Sequence, residues 1–192
     1  MWLTDAGLHQ TPRWREAYRE WLDYFAELGI VGVGMGWLVL TRSGRDDPER
    51  RFEEWPWAVQ QPVGEAYARH QDDLGTSRLD WDTLAAIEFT VGDHVVEEST
   101  GAPGASGPEH IVLRQNTGLR RAIDAGTALA AVLGACQGDL PLGVILPVVA
   151  QLLEVDADDL RRELEPKIRA AIRDGFLDRE TVTANGRGTV HA

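Results

Sequence analysis

Leu160, Leu164, Ile168 and Ile172 stand at four-residue intervals between Asp156 and Gly175. That spacing lines one face of an α-helix with large aliphatic groups, and such a face must be covered by other elements. Asp156 is suited to cap the start and Gly175 to end it. Pro166 lies inside the pattern and predicts a kink or a split. Two apolar helices precede it. Gly126 to Cys136 is rich in Ala and Leu and is read as ending at Gly138; Pro141 to Leu153 carries Val144, Ile145, Val148, Val149, Leu152 and Leu153. Phe176 and Leu177 follow as a short strand. The stripes of Leu129, Leu133, Val144, Ile145, Val148 and Leu152 are expected to close on the Leu160–Ile172 stripe as one core.

Upstream, Trp14, Tyr18, Trp21, Leu22, Phe25 and Leu28 recur at helical spacing, with Thr11 and Pro12 before them and Gly29 after. Ile30 to Thr41 reads as a buried strand with Gly32, Gly34 and Gly36 on one face. Arg51 to Val59 reads as an antiparallel return strand, with Pro56 placing it at an edge. Val63 to Asp73 is expected to be a short helix, and Asp80 to cap another over Trp81 to Ile87. Phe89 to Thr100 reads as extended and Gly101 to Glu109 as a loop. His110 to Arg114 and Leu119 to Ile123 are expected to pair across Asn116-Thr117-Gly118. The fold class is α+β. The expected organisation is residues 1–62 as a helix with a β-hairpin, 63–123 as linker helices and a small antiparallel sheet, 124–180 as a helical module, and 181–192 as a tail or wing.

Composition narrows the function classes. The 192 residues carry 19 basic and 31 acidic side chains, a formal net charge of −12. A phosphate backbone is repelled by such a surface, so nucleic acid is not the expected partner. One cysteine, Cys136, excludes an intrachain disulfide and a cysteine-based zinc site. No basic region followed by an apolar stretch opens the chain, and the longest apolar run, Leu140 to Ala150, is too short to span a bilayer. The reading is a soluble cytoplasmic protein.

Several motifs carry less chemistry than they first promise. Gly32-Val33-Gly34-Met35-Gly36 resembles a nucleotide-binding loop, but it follows a helix where that loop follows a strand. His9, His70, His94, His110 and His191 lack ligand spacing; pairing of the strands that His94 and His110 begin would bring those two and Glu97 together. Glu53-Glu54 and Glu97-Glu98 are neighbours on strands and point to opposite faces. Cys136 reads as core filler. The last helix mixes acids and bases, which suits protein contacts or a solvated face. Arg114, Arg120 and Arg121 form the remaining basic cluster and are the candidate anion or partner contact. The residues nominate no catalytic, cofactor-binding or metal-binding side chain.

The Trp14–Leu28 helix, Val31-Gly32-Val33-Gly34-Met35-Gly36-Trp37, Trp55-Pro56-Trp57, Pro108-Glu109-His110-Ile111-Val112-Leu113-Arg114-Gln115 and Gly118-Leu119-Arg120-Arg121 together have a recognisable look. From Trp2 to about Leu177 the chain resembles the C-terminal portion of high-GC bacterial S-adenosylmethionine-dependent methyltransferases related to release-factor glutamine methyltransferases. The resemblance implies the terminal helix and antiparallel strands of a Rossmann-type domain, followed by a small sheet and a winged-helix-like module. In that family an Asn-Pro-Pro-Tyr/Phe segment holds the accepting amide, and a Gly-rich loop binds the cofactor. No two prolines are adjacent here. The expectation is therefore a substrate-recognition part that binds no S-adenosylmethionine and is inactive by itself. Its partner would be a protein substrate or the missing methyltransferase core, with a homodimer covering the Ile30–Thr41 edge as a further expectation. A free-standing winged-helix-like module that binds a protein is the alternative.

Overall fold

The computed structural model describes residues 7, 11–32, 34, 36–42, 44, 46–48, 50–55, 58–105 and 107–179. Two compact units divide the chain, Met1–Leu40 and Thr41–Ala192. In the first, helix α1 (Trp14–Glu27) has the expected extent. Gly29, at φ 65°, donates to the Ala26 carbonyl at 3.1 Å, and Ile30 donates to Phe25 at 2.8 Å. This paired arrangement satisfies the last carbonyls of the helix and stops it. Along the helix Trp14 stacks on Tyr18 at 5.1 Å and Trp21 meets Phe25 at 5.5 Å. No residue of α1 is buried.

The strand expected over Ile30–Thr41 does not form among its described residues, and Val31, Leu38 and Leu40 are exposed. Alternating Val and Gly favour extension, but a strand is stabilised by a paired neighbour and a covered face, and the described residues of this run have neither. Val33 and Met35 lie outside the described residues. The return strand over Arg51–Val59 is also missing among its described residues; Pro56 and Trp57 lie outside them. A single bridge from Gln60 to Gly118 ends that stretch. The strand edge that motivated a homodimer is thus not found in the described residues.

The second unit begins its helices with α2 (Gly64–Ser77) and α3 (Trp81–Ala85). Asp80 caps α3 by accepting from the Thr83 N–H at 2.9 Å. Phe89–Thr100, expected as one extension, divides into β1 (Glu88–Val91) and β2 (Val95–Thr100). Gly92 to His94 turn the chain between them, closed by the Val95 N–H on the Gly92 carbonyl at 2.8 Å. Next come β3 (His110–Gln115), β4 (Ala122–Asp124), α4 (Gly126–Gly134), β5 (Gln137–Pro141), α5 (Leu142–Leu152), α6 (Ala157–Arg173) and β6 (Leu177–Arg179). Among the described residues two antiparallel three-stranded sheets result, in the orders β5-β1-β6 and β2-β3-β4.

Several expectations are corrected in detail. The second hairpin strand starts at Ala122, because Leu119 turns into the core and Arg120 takes a left-handed φ of 55°. Helix α4 stops at Gly134; the following Gln137–Pro141 lacks alternation, yet it pairs with β1 at Thr90↔Gln137 and Glu88↔Pro141. Pro166 does not split α6, which runs unbroken. Its ring lies on the exposed side, opposite Leu160, Leu164, Ile168 and Ile172, where the lost hydrogen bond leaves a carbonyl facing water. The expected start of α6 holds: Asp156 accepts from the N–H groups of Asp158 and Asp159 at 2.9 and 3.0 Å. Residues 181–192, the expected tail or wing, lie outside the described residues.

One buried cluster joins both sheets and the last three helices, drawing on Leu84, Phe89, Leu113, Leu133, Leu164 and Phe176 among others. Helix α6 is its axis, packed by α2, α4 and α5. Arg169 ties α6 to the end of α2 by donating to the Ser77 and Leu79 carbonyls at 2.8 and 2.7 Å. Val144, Val148 and Leu152 do not join the core; they are exposed, while Leu142, Ile145, Leu146 and Val149 of the same helix are buried. Leu164 and Leu152 therefore predict opposite outcomes. Leu164→Ala is expected to cost about 2–5 kcal/mol and Leu164→Asp to abolish the cooperative transition, since it buries an unpaired charge. Leu152→Glu is expected to stay within about 0.5 kcal/mol of wild type. Thermal unfolding followed by circular dichroism checks all three; a harmless Leu164→Asp places the core elsewhere.

Candidate functional site

A polar cleft of about 230 Å³ opens on the second unit where α2, the turn before β2, the end of β3 and the turn after α6 meet. Its construction follows from the end of α6. The last carbonyls of a helix lack partners within it and carry partial negative charge, so donors and cations collect there. The Gln115 amide donates to the Asp174 and Gly175 carbonyls at 2.8 and 3.2 Å. Arg69 donates to the Gly175 carbonyl at 3.4 Å, and the His94 Nε2 reaches it at 3.1 Å. A carbonyl only accepts, so Nε2 of His94 is the donor in this contact. Gly175 itself holds φ 77°, and a Cβ there would lie 2.7 Å from the Arg69 guanidinium.

Ion pairs surround this junction. Asp174 accepts from Arg51 at 2.5 Å and from Arg173 at 3.1 Å. Arg51 also pairs with Glu53, and Glu53 pairs with Arg121 at 2.8 Å. Arg121 lies over the Trp55 ring at 5.5 Å. Arg69 pairs with Asp178 at 2.6 Å and approaches Asp73 at 3.8 Å. The residues 51–55 are thereby strapped to α6 by charge.

Burial and charge set the protonation states. Burial pushes the Asp73 carboxyl up to about 6; Arg69 works against this and Asp178 and Asp72 add to it. Burial alone would raise Asp174, but hydrogen bonds from Arg173 and Arg51 outweigh it and hold the group below its ordinary value. His70 is held down by burial and then by Arg121 and Arg51. Burial raises Tyr67, opposed by Arg121. Away from the cleft, burial pushes the Cys136 thiol up to about 12, as a core residue whose sulfur meets the Val132 carbonyl at 3.3 Å.

The nominated arginines separate. Arg114 pairs with Glu98 at 2.8 Å across β2 and β3, and Arg120 is exposed nearby; both hold the Glu98 carboxyl below its ordinary value. Arg121 instead faces the cleft and Glu53. His94 and His110 do not meet. The register sets His110 opposite Thr100 and Gln115 opposite Val95, which puts the two histidines at opposite ends of the hairpin, roughly 15 Å or more apart. Among the described residues no three His, Cys, Asp or Glu side chains converge in a way that holds a metal ion. No described helix is long and apolar enough to cross a membrane. The cleft was not legible in the sequence, because its partners lie up to 123 positions apart. The nearest signal was His94, noted in the sequence only for an approach to His110 and Glu97; Gln115 was not singled out.

A second surface lies on α5. Val144 is 48%, Val148 53% and Leu152 77% exposed, at four-residue spacing, with Leu140 and Val155 exposed at either end. The other face of the helix is buried, so α5 is apolar all round, a pattern found where both faces are covered.

Two outcomes are expected of the cleft. Gly175→Ala is expected to cost about 1–2 kcal/mol from its left-handed backbone alone, with the Arg69 contact in addition, as read by denaturant unfolding. Asp73 titrates near 6 when folded against an ordinary 3.8. The fold favours its protonated form, so its stabilisation is complete below about 3.8 and lost as pH rises through about 6. Asp73→Asn stays neutral throughout. Its melting temperature is expected to gain on wild type across that window and to keep the lead above it; a constant difference refutes the assignment.

Residues 65–179 match the family model described as Domain of unknown function (DUF7782). The match covers more than half of the chain, and the chain belongs to that family. A comparison with curated proteins gave no match.

Proposed function

We propose that this member of the DUF7782 family is a non-catalytic recognition module for a protein partner, the substrate-reading C-terminal part of an S-adenosylmethionine-dependent methyltransferase. The exposed apolar stripe of α5 carries the reading. Val144, Val148 and Leu152 place aliphatic groups in water along a helix whose other face is already in the core. Exposure of that kind marks a surface that another protein covers.

The order of elements supports the winged-helix-like part of the reading. Helix α4, strand β5, helices α5 and α6 and strand β6 follow one another as helix, strand, helix, helix, strand, and β1 lies between the two strands. The Rossmann-type part rests on the sequence resemblance of residues 1–62. The charge balance supports a protein partner over nucleic acid. The arginines at the cleft face carboxylates and helix-end carbonyls, and the chain carries a net −12. The family match favours a free-standing module as the second reading, since it begins at residue 65 and spans the whole packed core.

Two measurements test the proposal. Calorimetric titration with S-adenosylmethionine is expected to show no saturable heat; a micromolar dissociation constant, about −8 kcal/mol, overturns the non-catalytic reading. Affinity capture from extract of the producing cells, with wild type beside Val148→Lys/Leu152→Glu, is expected to lose a defined set of proteins in the variant at unchanged melting temperature. Identical captures remove α5 as the recognition surface. Salt-sensitive retention of duplex DNA in a gel-shift assay replaces the protein partner with nucleic acid.

A further inference from the structure

Strand β2 lies at the margin of its sheet, and residues 96–100 are exposed along it. An antiparallel ladder points the backbone groups of alternate residues towards the partner strand and those between them away. The Asn116 N–H on the His94 carbonyl, at 2.8 Å, fixes the phase. Val96, Glu98 and Thr100 therefore bond to β3, and the N–H and C=O groups of Glu97 and Ser99 face outward. Among the described residues no backbone group meets them. The other sheet margins differ: β4 and β6 have three residues each and β5 ends in Pro141. Short strands and prolines are the usual means of blunting an edge, and β2 has neither.

The inner face of this edge borders a groove. Glu97 stands directly opposite Leu113, so Val95, Glu97 and Ser99 share the face that carries Leu113. Beneath them is a space of about 400 Å³ walled by Val91, Val95, Leu113, Leu133 and Cys136, with Glu97 at its rim. Glu98, on the outer face, is neutralised by Arg114. Glu97 has no cationic partner among the described residues.

We propose that the free edge of β2 docks an extended segment of a partner protein, which adds as a further strand, lays an apolar side chain into the groove and sets a lysine or arginine beside Glu97. The inference rests on the reading of the chain as a recognition module and names the segment it reads. Main-chain hydrogen bonds at Glu97 and Ser99 supply affinity, and alternate side chains supply selection, one apolar pointing down and one basic at the rim. The net charge of −12 favours encounter with a basic segment.

The test uses the full chain and a displayed library of short random peptides. Enriched peptides are expected to alternate apolar and basic residues. Synthesised with N-methyl groups on alternate amides, they are expected to lose binding in one phase of methylation and keep it in the other, which only strand addition produces. Ser99→Pro removes an outward N–H at an edge position where proline is tolerated, and is expected to weaken binding at least about tenfold at unchanged melting temperature. Glu97→Lys, an exposed change that does not threaten folding, is expected to weaken basic peptides and admit acidic ones. No enrichment, equal effects of both methylation phases, or binding indifferent to Glu97→Lys overturns the edge proposal. The comparison of wild type with Val148→Lys/Leu152→Glu is read separately, so the recognition reading survives or fails independently.

Discussion

The end of α6 gathers donors from across the second unit. The Asp174 and Gly175 carbonyls and the Asp174 carboxylate take donors from Arg51, Arg69, His94, Gln115 and Arg173. These belong to the stretch before α2, to α2, to the turn entering β2, to β3 and to α6 itself. The physical cause is elementary. A helix ends with unsatisfied carbonyls and a partial negative charge, and at the end of α6, where Gly175 is buried, side-chain donors from other elements satisfy them. Gln115 is buried and neutral, so it bonds two carbonyls without the cost of burying an ion. The cations stand further out, each with a carboxylate partner. Gly175 makes the arrangement possible, because only a residue tolerant of φ 77° turns both carbonyls towards the same side.

What was legible in the sequence was whatever is decided locally. Gly29, Asp80 and Asp156 announce helix boundaries because their effect is exerted within a few residues. The stripe of α6 was legible because one helix face suffices to show it. Strands were harder, since each is decided by its neighbour. Gln137–Pro141 pairs with β1, which lies nearly fifty positions earlier, and its composition shows nothing of this. The Val-Gly alternation of residues 31–36 looked like a strand by composition, and its described residues pair with no other strand. On α5 the failure was different. Its apolar residues were read as one core stripe, but this helix is apolar on two faces, and Val144, Val148 and Leu152 lie on the one left exposed.

The cleft was hidden for a related reason. Arg121 was singled out as a basic residue of a hairpin, where exposure to an anion was the natural reading. Its fate is decided by Glu53 and Trp55, which belong to a stretch expected to be a strand of another domain. Asp174 and Gly175 were visible only as a helix stop, since nothing in a one-dimensional pattern says that a helix end is buried. Paired charges separated by long loops are the least legible feature of a chain. Coulomb attraction has no sequence period, whereas packing does.

The same charges bear on how the chain keeps two sticky features in water. A six-residue strand edge that no described residue pairs and an apolar helix face are each a route to self-association. Proline and strand shortening do not protect them. Like-sign charge does: Glu97 at the rim of the groove and the net −12 of the chain oppose the approach of a second copy. Repulsion between copies weakens as salt screens it, over a Debye length of about 8 Å at physiological ionic strength. Contact between an apolar face and a basic partner gains from both terms at once, burial and attraction, while contact between two copies sets them against each other. The acidic surface thus does two jobs with one set of residues. It opposes contact between the exposed apolar groups of two copies, and under the docking proposed above it favours a partner of opposite sign.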